Sequence, residues 1–478
     1  MNVALRVRRL RNLWFVAAVL FVAANAHATF YPGDPDAFPI PTHDVNQGPN
    51  GAIVVRDYNL FGGVNPCFYR VYLPPGKVVE EIFPIDILGE YTIVLCRGDK
   101  GVAQLNSFDF AFGCPPPAAG AKPSRPLSPQ QTLSSIPVSN DADTLDGTCD
   151  GRYLVVVGAN STKPVSLVDM VTKTEVGTYT FNGLSAAVSV ADDSQSILVH
   201  LDTNAGGAGI IRRLLLNGTG FTDTMETLAI GSATVFINKV IAAPGSKTGV
   251  VMVTEFPAAA PPVSRLVSFG IPGLVVIDQV TLAGRRGNAV IFNCPGTKIY
   301  ARSGDRINSD VIEGFGYNPM TGFFTKPASL TINGVSPYVG TSYPNPLALT
   351  PNGIHLIASE SISVAGAPTP RVTSFDTITG ARVNAFTDGF SAPSNVRALP
   401  CCLQRKQITS IQRMPNGHVM LQGKVESPNW TFSLQLAPNM SNAFGSPVSI
   451  TSDANGMFQH DDAGAVGLDK RFYRLTYP

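Results

Sequence analysis

The sequence predicts an all-β fold, a β-propeller of about seven blades followed by a small C-terminal β-sandwich. Three observations predict it. Within 346–386, the apolar runs 347–349 and 354–358 flank a turn at Pro351-Asn352-Gly353. A third run, 371–375, leads through Asp376-Thr377-Ile378-Thr379-Gly380 into a fourth. Four short strands joined by hairpins make one blade. The same turn-then-strand signal recurs roughly every 40 to 60 residues, the period of four-stranded units with variable loops. Gly 45 and Pro 38 without a collagen period, and only 14% charged residues, fit many tight turns rather than helices.

Residues 1–28 carry a basic start (Arg6, Arg8, Arg9, Arg11), an apolar run from Leu13 to Ala24 and a small-x-small ending, Ala26-His27-Ala28. That is the layout of a secretory signal peptide cleaved near Ala28. The apolar run, about a dozen residues, is shorter than the roughly 20 needed to span a bilayer. Export to the periplasm, the cell surface or the medium is therefore expected, with no transmembrane segment in the mature chain. Removing four basic residues leaves a small negative net charge, which gives no footprint for nucleic acid.

Residues 29–50, rich in Pro, Asp and Gly, read as an extended lead-in, 51–403 as the propeller and 404–478 as the sandwich. Strand pairs follow at 51–56 with 67–73, and at 91–96 with 104–110. The Pro/Ser-rich stretch 114–139 cannot form a central strand and reads as a surface loop between blades. From Asp150 the repeats sharpen, with 150–157 leading to 165–176, then 192–199 with 210–216, 244–253, 294–301 and 351–357. An open ring would expose two unpaired strand edges. Within the strand-like run 394–399, Val396 to Leu399 is therefore expected to lie in the same blade as Ile53–Val55. Beyond Lys406, alternating strands separated by Asn-Gly turns end on Arg471-Phe-Tyr-Arg474.

Pro351-Asn-Gly-Ile-His-Leu-Ile357 and Val372-x-x-x-Asp376-x-x-Thr379-Gly380, echoed where Asp169 and Thr172 follow Val165, resemble the YVTN surface-protein repeats of bacterial extracytoplasmic propellers. The resemblance covers roughly residues 140–390. It implies a WD40-like propeller and no particular active-site residues, because the repeat's hosts include binding proteins, lactonase-like enzymes and quinoprotein subunits. The tail is similar to a C-terminal module of large secreted bacterial proteins.

Seven cysteines (Cys67, Cys96, Cys114, Cys149, Cys294, Cys401 and Cys402) sit in the mature region; the odd count leaves one thiol or an interchain bond. None has C-x-x-C or zinc spacing. The mature histidines, His43, His200, His355, His418 and His460, are scattered, and His355 reads as a structural strand residue. The sequence contains no Gly-x-Ser-x-Gly elbow, phosphate loop or dinucleotide fingerprint. The acidic run Asp141-Ala-Asp-Thr-Leu-Asp-Gly147 has Leu145 and Arg152 where a calcium loop needs oxygen donors, so it reads as a solvated inter-blade turn. His460-Asp461-Asp462 reads as turn chemistry before the last strand. Asp169 and Asp376 are expected to fix hairpin corners by accepting backbone N–H groups.

These features predict a secreted, non-enzymatic propeller that binds an unidentified ligand or protein at its face or channel, with no cofactor and no metal. The alternatives are a lactonase-like or other hydrolase at the channel mouth, and a cell-surface structural or adhesion protein. Converging carboxylates or histidines with a metal in the central channel would favour an enzyme, and an apolar, small-residue lining would favour binding.

Overall fold

The computed structural model describes residues 38–476 apart from interspersed segments, the longest being 106–124, 438–447, 338–345 and 45–51. The signal-like segment, Cys114 and the Cys401-Cys402 pair lie outside the described residues. Seven sheets succeed one another between 38 and 396. Blade 1 is built from Pro393–Val396, Phe38–Asp44, Ala52–Tyr58 and Val64–Tyr72, with Arg125–Pro126 added along its edge. Blade 2 comprises Glu81–Ile87, Glu90–Cys96, Gly101–Leu105 and Leu133–Pro137. Blades 3 to 7 occupy 144–179, 184–229, 235–281, 286–335 and 347–386, four strands each in chain order.

The second strands are continuous apolar runs because both of their faces meet neighbouring blades. Tyr153–Val157 is buried at every residue, whereas the outer strand of the same blade, Thr174–Tyr179, is exposed or half-buried throughout. Apolar clusters fill the spaces between blades. Phe83, Ile136, Leu145 and Leu154 join blades 2 and 3, and Val156 and Val168 belong to the same cluster. Ile40, Ile357, Val372 and Val396 join blade 7 to blade 1. Each fully buried Val, Leu or Ile contributes about 1.5–3 kcal/mol.

The sequence repeat is a turn. In blades 3 to 7 the residue ending each first hairpin's four-residue turn donates its N–H to the first: Gly151 to Thr148, Ser194 to Ala191, Ser246 to Ala243, Gly296 to Asn293 and Gly353 to Thr350. All five of these donors have positive φ, from 55° to 72°. Glycine fills three of them without a Cβ penalty. The second repeat element behaves as expected. Asp169 Oδ1 accepts from the N–H of Val171 (2.8 Å) and Thr172 (3.1 Å), and Asp376 Oδ1 from those of Ile378 (3.0 Å) and Thr379 (2.7 Å).

Ring closure meets the expectation for 396–399 and 53–55 at Val396, which lies in a strand of that blade; Arg397 and Ala398 follow the strand, and position 399 lies outside the described residues. Pro393–Val396 forms the innermost strand of blade 1, with Thr42 opposite Val396, and Ala52–Tyr58 lies on the far side of Phe38–Asp44. The lead-in at 29–50 thus contributes a strand that its Pro-rich composition concealed. The stretch 114–139 also differs from the reading as a loop between blades. Leu133–Pro137 closes blade 2 as its outer strand, where Pro137 is tolerated because an edge needs no further N–H donor. Cys149 and Cys294 are disulfide-bonded, and Cys96 is a buried thiol.

Beyond the ring, Lys406–Arg413, Val419–Val425 and Met457–Asp462 form one three-stranded sheet, and Val448–Thr451, Thr431–Ala437 and Phe472–Thr476 a second. Val419, Leu421 and Phe458 of the first share one apolar cluster with Leu434 and Ile450 of the second. His460-Asp461-Asp462 ends a strand. Asp462 accepts from the N–H of Gly464 (3.0 Å) and from the Tyr473 hydroxyl (3.0 Å), the turn role expected of it, and Asp461 faces His418 at 3.1 Å. Among the described residues no helix is long and apolar enough to cross a membrane.

Candidate functional site

The first strand of each blade faces the axis. Pro393–Val396, Glu81–Ile87, Thr144–Gly147, Leu184–Val190, Val235–Ala242, Arg286–Phe292 and Leu347–Leu349 touch in succession around the ring, and the last returns to the first. Where these strands end, blades 3 to 7 and the segment after the closing strand line a cavity of about 200 Å³. Its residues come from the last positions of the inner strands and the turns that follow, together with Arg397, Ala398 and Pro400.

The lining divides by blade. Two positions before the first-hairpin turn stand Asp146 in blade 3 and Ser189 in blade 4, but Ile241, Ile291 and Ala348 in blades 5, 6 and 7. One side of the cup is polar and the other apolar. On the polar side each side chain ties its blade to the next. Glu81 Oε2 accepts from the N–H of Leu145 (3.1 Å), Asp146 Oδ2 from that of Val190 (2.8 Å), and Ser189 Oγ from that of Ala242 (3.0 Å).

Two cations complete the polar side. Arg397, just past the closing strand, lies over the Phe83 ring with its guanidinium carbon 4.4 Å from the centroid. It donates from Nη1 to Glu81 Oε1 (2.6 Å) and from Nη2 to Asp146 Oδ1 (3.1 Å). Lys239 reaches from blade 5 to Glu81 of blade 2, Nζ to Oε1 at 3.4 Å. It stands four positions before its turn, deeper along the axis than Asp146 or Ser189. Glu81 is 1% exposed, and a carboxylate buried to that degree needs such partners to stay charged. Burial pushes the Asp146 carboxyl above its usual range, against the Arg397 charge and the N–H groups of Val190 and Gly147, which pull it down. All four carboxylate oxygens of Glu81 and Asp146 accept hydrogen bonds within the ring.

Sequence reasoning missed this cluster. The run 141–147, expected to be a solvated turn, supplies the inner strand Thr144–Gly147, with Leu145 buried and Asp146 in the channel. Its acidic composition resembles a turn because a channel-facing strand needs no apolar side chain on that face. Glu81, Lys239 and Arg397 fall in no shared motif. His43, His200 and His355 are buried within blades 1, 4 and 7, apart from the cavity lining, His355 as a strand residue as expected. Among the described residues no group of three His, Cys, Asp or Glu side chains could hold a metal ion.

No family model matches the chain, and no curated protein matches it. Solved structures do. A candidate 6-phosphogluconolactonase of Bacteroides uniformis ATCC 8492 aligns with a TM-score of 0.54 at 14% identity, over 76% of this chain and 99% of that one. A second, from Bacteroides fragilis NCTC 9343, gives 0.54 at 13%, over 77% and 99%. A functionally unknown protein of Desulfotomaculum acetoxidans DSM 771 gives 0.51 at 12%, over 75% and 98%. At such identities the likeness is one of fold, and with the seven sheets it makes this chain a β-propeller.

Proposed function

We propose that this is an exported, non-enzymatic propeller that binds a small ligand at the channel mouth where its inner strands end. The observation that carries the reading is the cavity itself. Its apolar half is Ile241, Ile291 and Ala348, and the carboxylates of its polar half are committed to inter-blade hydrogen bonds. Apolar concavities with a few convergent polar groups are the usual form of ligand sites. Export rests on the signal-like residues 1–28, and the disulfide bonding of Cys149 and Cys294 supports it. The tail from about 404 onward, with its own apolar cluster, is read as a separate sandwich module like those ending large secreted proteins.

The test is binding of an environment-sensitive amphiphilic dye such as anilinonaphthalene sulfonate to the full mature chain. Ala398 lines the cavity and is half-buried, so Ala398→Trp fills the mouth with an indole. The variant is expected to lose dye binding tenfold or more while keeping its melting temperature within a few degrees. Equal binding by both proteins would place the site elsewhere.

A lactone hydrolase is the second reading, favoured by the likeness to two candidate 6-phosphogluconolactonases. It requires one carboxylate to leave its ties, and Asp146, with its raised carboxyl, is the one for which this is easiest. Release of acid from 6-phosphogluconolactone that disappears in Asp146→Asn would establish this second reading in place of the first.

A further inference from the structure

The cup has hydrogen-bond donors to spare. Each oxygen of Glu81 and Asp146 already accepts at least one bond, from Leu145, Arg397, Lys239 or Val190. Arg397 spends Nη1 and Nη2 on those carboxylates. Lys239 makes one long contact, 3.4 Å, and an ammonium has three N–H groups to give. Ser189 Oγ accepts from Ala242, which leaves its O–H to donate. Both line the cavity on adjacent blades, and the Ile241, Ile291 and Ala348 side of the cup stands beside them. What is missing is an acceptor, and beside it an apolar body.

From this arrangement, and resting on the reading of the mouth as a binding site, we infer that the ligand is an amphiphilic carboxylate. Its carboxylate accepts from Lys239 Nζ and Ser189 Oγ, and its short hydrocarbon chain lies on Ile241, Ile291 and Ala348. A volume of about 200 Å³ holds about seven waters at roughly 30 Å³ each, and so a chain of comparable heavy-atom count. Two carboxylates and two cations meet at the cup, and Lys239 is the cation with N–H groups to spare. A cationic amphiphile would find both carboxylates already hydrogen-bonded and two cations beside it.

The same chemistry occurs in a free short-chain acid and at a peptide C terminus ending in leucine. Hexanoate and N-acetyl-Ala-Leu separate the two sources, and tight binding of either supports the shared chemistry. Displacement of the dye from the full mature chain is read for hexanoate, N-acetyl-Ala-Leu, hexanol and hexylamine. A carboxylate is expected to displace it at least tenfold more effectively than hexanol or hexylamine. Lys239→Met keeps the stem and removes the charge, and in direct calorimetric titration it is expected to bind hexanoate no better than hexanol. Hexylamine or hexanol competing as well as both acids in the unaltered protein would overturn the inference, as would a carboxylate preference undiminished in Lys239→Met. Either outcome leaves the mouth standing as a binding site, whereas dye binding unchanged in Ala398→Trp removes the site itself.

Discussion

Arg302 is fully buried and ties blade 6 to the start of blade 7. It donates to Asp310 Oδ2 (2.7 Å) and to the carbonyls of Ser336 (2.8 Å), Pro346 (3.1 Å) and Ser359 (2.7 Å). Replacing it by methionine takes the guanidinium from a buried carboxylate and from three carbonyls, of which that of Pro346 keeps the N–H of Ser359. Loss of one partner from a buried pair costs about 3–5 kcal/mol. Urea denaturation of Arg302→Met should show a loss in that range, and one below about 1 kcal/mol would mean that water replaces the guanidinium. Two histidines set a pH limit. Burial pushes His43 and His200 down to about 4, while the unfolded chain titrates them near 6.5. Because the folded value is the lower one, the unfolded chain takes up protons first as pH falls. Their contribution is complete above about 6.5, declines from there to about 4 and then levels, by up to about 3 kcal/mol each. Asp146 and Glu313, both raised by burial, act in the opposite sense, since the folded state takes their protons first. The net expectation is a urea midpoint that falls steadily between pH 6.5 and 4.5. A flat profile across that window would contradict it.

At the scale of elements, the closing strand has more effect than its four residues imply. Pro393–Val396 pairs with Phe38–Asp44 and packs against blade 7 through Val396. A chain ending at Pro400 keeps this strand and drops both tail sheets, so it should melt cooperatively. A chain ending at position 390 leaves Phe38–Asp44 as a bare edge and should aggregate or melt broadly. Calorimetry of the two distinguishes them, and equal cooperativity would show that closure does not depend on this strand. Much of this was legible in the sequence. Turn chemistry at Pro351-Asn-Gly353, the Asp376 corner and the apolar runs that follow fixed blades 3 to 7, and edge-strand reasoning put Val396 in the blade of 53–55. Phe38–Asp44 was hidden by its prolines, and Leu133–Pro137 by a Pro/Ser-rich setting that an outer strand tolerates. The channel cluster was hidden by distance. Arg397 and Glu81 are 316 positions apart and Lys239 and Glu81 are 158 apart, so only the closed ring brings them together.

The whole molecule is a ring whose inner strands end on one cup, polar at Asp146, Ser189, Lys239 and Arg397 and apolar at Ile241, Ile291 and Ala348. The closing strand leads straight into that cup. Arg397 and Ala398, which line it, come immediately after Val396, and the tail begins at Lys406, only a few residues later. Ring closure and the charged cluster therefore meet at one mouth. This convergence makes binding there the account's central claim. The most direct measurement is a crystal structure of the mature protein grown with hexanoate at saturating concentration. The account predicts one molecule inside the mouth, its carboxylate against Lys239 Nζ and its chain along Ile241 and Ile291. Hexanoate bound only at other surfaces, with water alone in the cavity, would contradict it.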